Sequence, residues 1–296
     1  MASEKTSPKE KDNMEKNNSK VEKTRDNSLQ NLTIVVLLSA IIISVSILIS
    51  GKIIADKLSS INVLSSVAKD QFAELKTAPL PAIDNYDPTY GNNKDLIIYE
   101  YTDYQCPFCA RHTINTFPVI YNNYVKAGLA TYVYKDFPLE SIHPYATISA
   151  AFANCVYRNY GIDKYTDFKK WLFENQSEWT NQNYQSAFRE KLQKLGVDYN
   201  VIETCVNKTE VSNDIEKDLG EVGKYGFTGT PSFLIAISRE KITSEEFNSL
   251  KDTLDELEAY GLRYRMFKSE DGRYLMIAFS GALPYDFFDN ILRLAK

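Results

Sequence analysis

The sequence predicts an α/β domain in which a central mixed sheet is flanked by helices and carries a helical insertion, with one transmembrane helix before it. Three observations support this class. An apolar run at residues 96–99 leads through a Cys-x-x-Cys pair into a helical pattern, and another β-like run follows at residues 131–135. A long helical section at about residues 143–225 precedes further apolar strands. Residues 32–49 are almost wholly apolar, which is typical of a membrane span.

The N-terminal region divides into a polar tail and an apolar span. Residues 1–31 are rich in Lys, Glu, Asp, Asn and Ser and lack apolar periodicity, so we expect a disordered tail. No charged residue occurs between Asp26 and Lys52. Eighteen apolar residues in a helix span about 27 Å, close to the ~30 Å of bilayer hydrocarbon. Because the apolar core of a cleaved signal peptide is shorter, we expect residues 32–55 to be an uncleaved anchor.

The orientation of this anchor follows from its basic flanks. Lys and Arg are more numerous before the span than after it: Lys9, Lys11, Lys16, Lys20, Lys23 and Arg25 against Lys52, Lys57 and Lys69. The positive-inside tendency predicts a single-pass protein of the cell membrane with a cytoplasmic N-terminus and an extracytoplasmic domain. Such a domain lies in an oxidising space, where disulfides form and persist.

Residues 56–94 are expected to be a helical stalk followed by a linker. Up to residue 78, apolar residues recur at steps of three and four, as on one helix face: Leu58, Ile61, Leu64, Ala68, Phe72 and Leu75. Pro79, Pro81, Pro88 and Gly91 then indicate a linker, and the folded domain is expected at residues 95–296.

Within that domain the elements follow a strand–helix–strand order, then the helical insertion, then two strands and a helix. The first strand–helix–strand unit is most simply a right-handed parallel crossover, and Pro118 is expected to kink its helix. The segment 238–272 replaces a tight turn between the last two strands. It is expected to hold a helix that begins at a capping box, and an extra strand at residues 262–267.

Cys106 and Cys109 form a Cys-x-x-Cys pair at a strand-to-helix junction. A helix N-terminus favours the thiolate, which is the attacking species in disulfide exchange, and Pro107 suits the first helical turn. The same pair is also consistent with half of a zinc site or with a structural disulfide. Since Cys155 and Cys205 are single and distant, no second paired half-site exists, and redox chemistry is favoured over a metal.

Four motifs together resemble the DsbA-like thiol–disulfide oxidoreductases of the thioredoxin superfamily. They are Tyr-Thr-Asp-Tyr-Gln-Cys-Pro-Phe-Cys at 101–109, Lys-Asp-Phe-Pro-Leu at 135–139, Gly-Thr-Pro at 229–231 and Gly-Ala-Leu-Pro-Tyr at 281–285. The resemblance runs from about residue 95 to the C-terminus and implies a thioredoxin fold. It also implies that the redox-active Cys106–Cys109 disulfide takes the place of a separate cofactor.

The resemblance assigns roles to individual residues. Cys106 would be the exposed nucleophile that forms a mixed disulfide with a client, and Cys109 the buried partner that resolves it. Thr230-Pro231 would be a cis-proline loop that faces Cys106; the alternative is an ordinary trans proline at the start of an edge strand. The residues expected to contact the client are Pro107, Phe108, Thr230 and Pro231.

Further side chains have alternatives that the sequence leaves open. Glu100, six positions before Cys106, matches the family's buried acid that relays protons to the second cysteine; the alternative is a carboxylate paired with a lysine. His112 is expected on the helix surface, with stabilisation of the thiolate as the alternative, and His143 is expected at a helix start, with a catalytic role as the alternative. By resemblance Cys155 and Cys205 form a structural disulfide, and otherwise they are buried free thiols.

The resemblance also implies the function and the partners. The domain would introduce disulfides into unfolded secreted or surface proteins that carry thiols, and a quinone-linked membrane partner of the DsbB or VKOR type would reoxidise it. The alternatives are a reductase or isomerase, or a non-catalytic client-binding module. A net charge of −5 gives no reason to expect nucleic-acid binding.

Overall fold

A computed structural model describes residue 52, residues 72–181 and residues 183–295 of the chain. The expected tail at 1–31 and, apart from Lys52, the expected anchor at 32–55 lie outside these residues, as does most of the expected stalk. Among the residues that the structure describes, no helix combines the length and the apolar character needed to cross a bilayer. The membrane anchor therefore remains a prediction.

The described residues contain a seven-stranded mixed sheet. Its strands are β1 (Lys76–Ala78), β2 (Thr89–Tyr90), β3 (Leu96–Thr102), β4 (Thr131–Asp136), β5 (Ser232–Ser238), β6 (Tyr264–Ser269) and β7 (Tyr274–Ser280). Their order in the sheet is β1-β6-β7-β5-β3-β4-β2. Strand β3 lies inside the sheet, parallel to β4 and antiparallel to β5, and all seven of its residues are buried. This burial on both faces explains its continuous apolar sequence.

Strands β1 and β2 lie in residues that were expected to form the helical stalk and the linker. Lys76 pairs with Phe267 of β6 in a parallel arrangement, so the end of the expected helix is instead a strand. Thr89 pairs with Val133 of β4 in an antiparallel arrangement. A sheet edge exposes unpaired backbone groups that another strand can satisfy. Here β1 pairs with β6 and β2 pairs with β4. The sheet therefore includes residues well before position 95.

The helix expected after the Cys-x-x-Cys pair is divided. Helix α1 (Pro107–Asn115) is followed by its C-cap residue, Thr116. Helix α2 (Phe117–Ile120) has Pro118 in its first turn, and a π-helical turn follows at Tyr121–Val125. Proline removes a hydrogen bond and clashes with the preceding turn, which accounts for the break. The chain then enters β4 parallel to β3, as the crossover prediction requires.

The helical insertion is confirmed and lies between β4 and β5. It consists of α3 (Ala146–Glu174), α4 (Gln176–Asn181), α5 (Tyr184–Lys194), α6 (Tyr199–Val206) and α7 (Thr209–Tyr225). Gly161, with φ of 79°, interrupts α3; this left-handed region is one that glycine adopts without strain. A disulfide between Cys155 and Cys205 joins α3 to α6 with a Cα–Cα distance of 5.8 Å.

The segment 238–272 contains the expected helix and strand. Helix α8 (Ser244–Ala259) begins at a capping box formed by Thr243 and Glu246. Strand β6 begins two residues later than expected and pairs with both β1 and β7. The segment is thus part of the central sheet. Helix α9 (Tyr285–Leu292) follows β7.

Candidate active site

The turn between β3 and α1 is fixed by the buried carboxylate of Asp103. Its Oδ1 accepts the amide of Gln105 at 2.8 Å, and its Oδ2 accepts the amide of Leu139 at 3.0 Å. The Asp103 carbonyl accepts the amide of Cys106 at 3.0 Å. His143 lies just before α3, and its Nδ1 is 2.7 Å from Oδ2 of Asp103. This contact connects the turn to the loop after β4. These bonds place Cys106 at the N-cap of α1.

The structure brings together four of the expected site residues, Cys106, Cys109, Thr230 and Pro231, from two segments that are distant in sequence. The Thr230–Pro231 peptide bond is cis, and the thiol of Cys106 donates to the Thr230 carbonyl oxygen at 3.4 Å. Cys106 and Cys109 are both free cysteines, with no disulfide bond between them. Cys106 was expected to be exposed, yet only 3% of its surface is accessible, because the proline loop lies against it. Cys109 is completely buried.

The two thiols differ strongly in acidity. A hydrogen bond from the Cys109 thiol lowers the pKa of Cys106 to about 6 despite its burial, and the side chain of Thr230 and backbone N–H groups at the start of α1 add to this effect. Burial raises the pKa of Cys109 well above its usual value. At neutral pH the pair therefore holds one thiolate and one thiol. This asymmetry is what an attacking cysteine and a resolving cysteine require.

Glu100 is fully buried and lies near Tyr132 and His112, two neighbours that the sequence did not indicate. Its Oε2 accepts the hydroxyl of Tyr132 at 2.6 Å, and that hydroxyl lies 3.0 Å from His112 Nε2. Burial raises the pKa of Glu100 to about 7, although the Tyr132 hydrogen bond opposes this shift. A carboxyl group with this pKa exchanges its proton near neutrality. Glu100 forms no direct ion pair with a lysine among the described residues.

The expectation that His112 lies on the helix surface was wrong. Its side chain is fully buried and packs against Phe233 at 4.6 Å between ring centroids. Burial lowers the pKa of His112 to about 3, so the ring is neutral. The spacing contained a usable signal, because His112 follows Cys109 by three positions and so shares its helix face.

The helical insertion also supports the active-site turn. The side-chain amide of Gln176 donates to the carbonyl oxygens of Tyr104, at 2.9 Å, and of Cys106, at 3.0 Å. Gln176 is 70 residues from Cys106, and no local pattern in the sequence indicates the contact. The insertion thus stabilises the active-site turn through the side chain of Gln176.

The outer rim of the site exposes an apolar side chain. Phe108, between the two cysteines, is 53% exposed, and the guanidinium of Arg111 lies 5.1 Å from its ring centre. Arg111 also donates to the carbonyl oxygen of Ala282 at 3.3 Å. In the part of the chain that the structure describes, no group of three or more metal-ligating side chains is present.

The chain is similar to known proteins in sequence and in fold. Residues 84–256 match the family model described as Thioredoxin. A Rickettsia typhi protein, by name a candidate protein-disulfide oxidoreductase, is 28% identical over 160 residues, which are 52% of this chain and 56% of the relative. A Rickettsia prowazekii protein with the same name is 27% identical over 160 residues, 52% of this chain and 55% of the relative. The chain thus matches about half the length of these curated relatives.

Similarity to a solved structure extends further along the chain. The crystal structure of Wolbachia pipientis alpha-DsbA1 superposes with a TM-score of 0.52 at 19% identity. The superposition covers 73% of this chain and 92% of that protein. The two molecules therefore share a thioredoxin-like fold with a mixed sheet and a helical insertion.

Proposed function

The chain belongs to the thioredoxin family, and from this membership we propose that it introduces disulfides into secreted or surface proteins. The observation that carries the proposal is the contact of Cys106 with the cis Thr230–Pro231 loop, where Cys106 is the acidic thiol of the pair. A low-pKa sulfur is a good leaving group and stabilises the reduced pair. Both properties suit a donor of disulfides.

The reaction follows from the asymmetry of the pair. In the oxidised protein a client thiolate attacks Sγ of Cys106, the bond to Cys109 breaks, and Cys109 takes the electron pair and a proton. A second client thiolate then attacks the client sulfur of the mixed disulfide and releases Cys106 as a thiolate. The client loses two electrons to the pair. An oxidant must accept them, and we assign that role to a quinone-linked membrane partner of the DsbB or VKOR type.

The surrounding residues support these steps. Main-chain groups at Thr230 and Pro231 would hold an extended client segment next to the sulfur, while Pro107 and the exposed ring of Phe108 contact it. Glu100 would supply the proton when Cys109 leaves and accept it in the reverse step. Its pKa of about 7 suits transfer in both directions.

A membrane anchor at residues 32–55 would hold this domain outside the cytoplasm, with the N-terminus inside. The support is the uncharged apolar span and the bias of Lys and Arg toward its N-terminal side. Alkaline extraction of membranes should leave the full chain in the pellet, and external protease should digest its domain in cells with a permeable outer layer. Recovery of the chain in the soluble fraction would contradict this topology.

Disulfide transfer in solution tests the enzymatic proposal. The full chain, with its Cys106–Cys109 pair oxidised, is mixed with a reduced, unfolded protein, and the loss of client thiols is counted. We expect each molecule to remove one pair of thiols and the variant Cys106→Ala to remove none. A Cys155→Ala/Cys205→Ala variant, assayed where it is folded, should transfer as wild type does. Equal loss of client thiols with the wild-type chain and with Cys106→Ala would refute the proposal and would favour a non-catalytic binding module.

A further inference from the structure

Lys169 on α3 is a buried cation that the proposed reaction does not use. Only 1% of its surface is accessible, and its ammonium donates to the Tyr134 hydroxyl at 2.9 Å. Aromatic rings surround the charge in a cage, with ring centres at 4.0 Å for Tyr134, 4.1 Å for Phe117, 4.9 Å for Tyr90 and 5.6 Å for Tyr165. None of the carboxylates that the structure describes lies within ion-pair distance of it.

Stability does not explain an ammonium at this position. Burial of a charge is unfavourable unless it is paired, and one hydrogen bond with several ring faces compensates for it only in part. A methionine side chain would fill the same cage without that penalty. The charge of Lys169 therefore requires another explanation, and a strongly shifted buried group near a reactive site is a candidate functional group.

The cage adjoins the redox site through neighbouring tyrosines of β4. Tyr134 is the direct partner of Glu100 in the pairing of β3 and β4, so their side chains lie on the same face of the sheet. Tyr132, two residues before it on that face, donates to Glu100 at 2.6 Å. The Tyr132 and Tyr134 ring centres are 5.3 Å apart. A layer of tyrosine side chains thus separates the ammonium from the carboxylate, in an interior where charges interact strongly.

The histidine, tyrosine and Cys109 side chains that face this cluster carry no charge at neutral pH. His112 of α1 is neutral because burial lowers its pKa to about 3. Burial raises the pKa of Tyr90 on β2 and of Tyr165 on α3. The next carboxyl group is Asp136, whose pKa burial raises to about 7; it accepts a hydrogen bond from the side-chain amide of Asn154 at 2.5 Å. The carboxylate whose charge acts on Lys169 is that of Glu100.

We propose that Lys169 is a positioning residue of the redox site, whose caged ammonium sets the proton affinity of Glu100 and thereby the pH at which Cys109 exchanges its proton. The catalytic consequence rests on the proposed function, whereas the coupling of the two charges does not. Burial raises the pKa of Glu100 and lowers that of Lys169, each to about 7. Their mutual attraction acts against both shifts and favours the doubly charged state near neutrality. The helical insertion thus contributes a charge to chemistry on the sheet.

The substitution Lys169→Met tests the coupling, because it removes the charge and keeps an apolar chain in the cage. Without the cation the Glu100 carboxylate is less stable, so we expect the pKa of Glu100 to rise by about one unit or more. This is a tenfold lower ratio of ionised to protonated Glu100 at neutral pH. Carboxyl ¹³C NMR of the reduced protein measures the shift, and the signal is assigned by its absence in Glu100→Gln. Lys170→Met, which removes an exposed charge on the same helix, should leave the pKa unchanged.

Reaction of the reduced protein with oxidised glutathione reports the catalytic consequence. Cys106 attacks one glutathione sulfur and releases the first glutathione, and Cys109 then attacks Cys106 and releases the second. We expect the pH midpoint of the second release to move to higher pH in Lys169→Met and to stay unchanged in Lys170→Met. An unmoved Glu100 pKa in folded Lys169→Met would overturn the proposal.

A reciprocal measurement covers the case in which Lys169→Met does not fold. Loss of the anion in Glu100→Gln should lower the pKa of Lys169, followed by NMR of its side chain, and an unchanged lysine would equally overturn the proposal. Neither NMR experiment depends on client oxidation. If disulfide transfer fails while the two charges prove coupled, the proposed function is wrong and the coupling stands.

Discussion

Replacing Cys155 and Cys205 together by alanine is expected to lower the free energy of unfolding by about 4 kcal/mol. This is the stabilisation expected from a disulfide that closes a loop with a sequence separation of 50. The bridge joins α3 to α6 across a sequence separation of 50. Without it the unfolded chain gains conformational entropy that the folded chain does not share. A change of this size shifts the folding equilibrium by about a thousandfold.

Urea denaturation of the two proteins, with the Cys106–Cys109 pair in the same redox state, measures this difference. The matched control is Cys106→Ala/Cys109→Ala, which also removes two buried cysteines but keeps the bridge. We expect the control to lose much less stability than the bridge variant. Equal unfolding midpoints for wild type and the bridge variant would show that the disulfide does not stabilise the fold.

The substitution Cys109→Ala is expected to raise the pKa of Cys106 well above its value of about 6. The largest cause of that low pKa is the hydrogen bond from the Cys109 thiol, and alanine cannot donate one. At neutral pH the thiolate fraction of Cys106 should fall, and the sulfur should react more slowly. Cys109→Ser retains a hydroxyl donor at the same position, so its Cys106 should remain more acidic than in the alanine variant.

The rate at which Cys106 reacts with iodoacetamide, followed against pH, distinguishes the two variants. The midpoint of the rate should lie highest for Cys109→Ala and between that value and wild type for Cys109→Ser. Coincident midpoints for wild type and Cys109→Ala would mean that the neighbouring thiol does not stabilise the thiolate. The helix N-terminus and the proline loop would then have to account for the whole effect.

The sequence predicts those parts of the site whose signals are local. The Cys-x-x-Cys spacing, the preceding apolar strand and Pro107 together indicate a cysteine at a helix N-terminus, because each feature acts within a few residues. Gly-Thr-Pro at 229–231 is equally recognisable, but only the family resemblance places it opposite Cys106. The structure brings the two segments together through the antiparallel pairing of β3 and β5.

The remaining parts depend on tertiary packing and could not be predicted in this way. Lys169 and Gln176 lie in helices whose local pattern gives no reason to choose them over other polar residues. His112 looked like a surface residue because a polar side chain on a helix is usually solvated. Strand β1 (Lys76–Ala78) follows apolar residues spaced as on a helix, and it becomes a strand because it lies beside β6.

Cys106 is ionised at neutral pH although both cysteines of the pair are buried. The most direct measurement is the ultraviolet absorbance of the thiolate in the reduced protein as a function of pH, with Cys106→Ala as the blank. The structure predicts a single transition near pH 6, below which the absorbance is lost. A transition near 9, the ordinary value for a cysteine, would contradict the account.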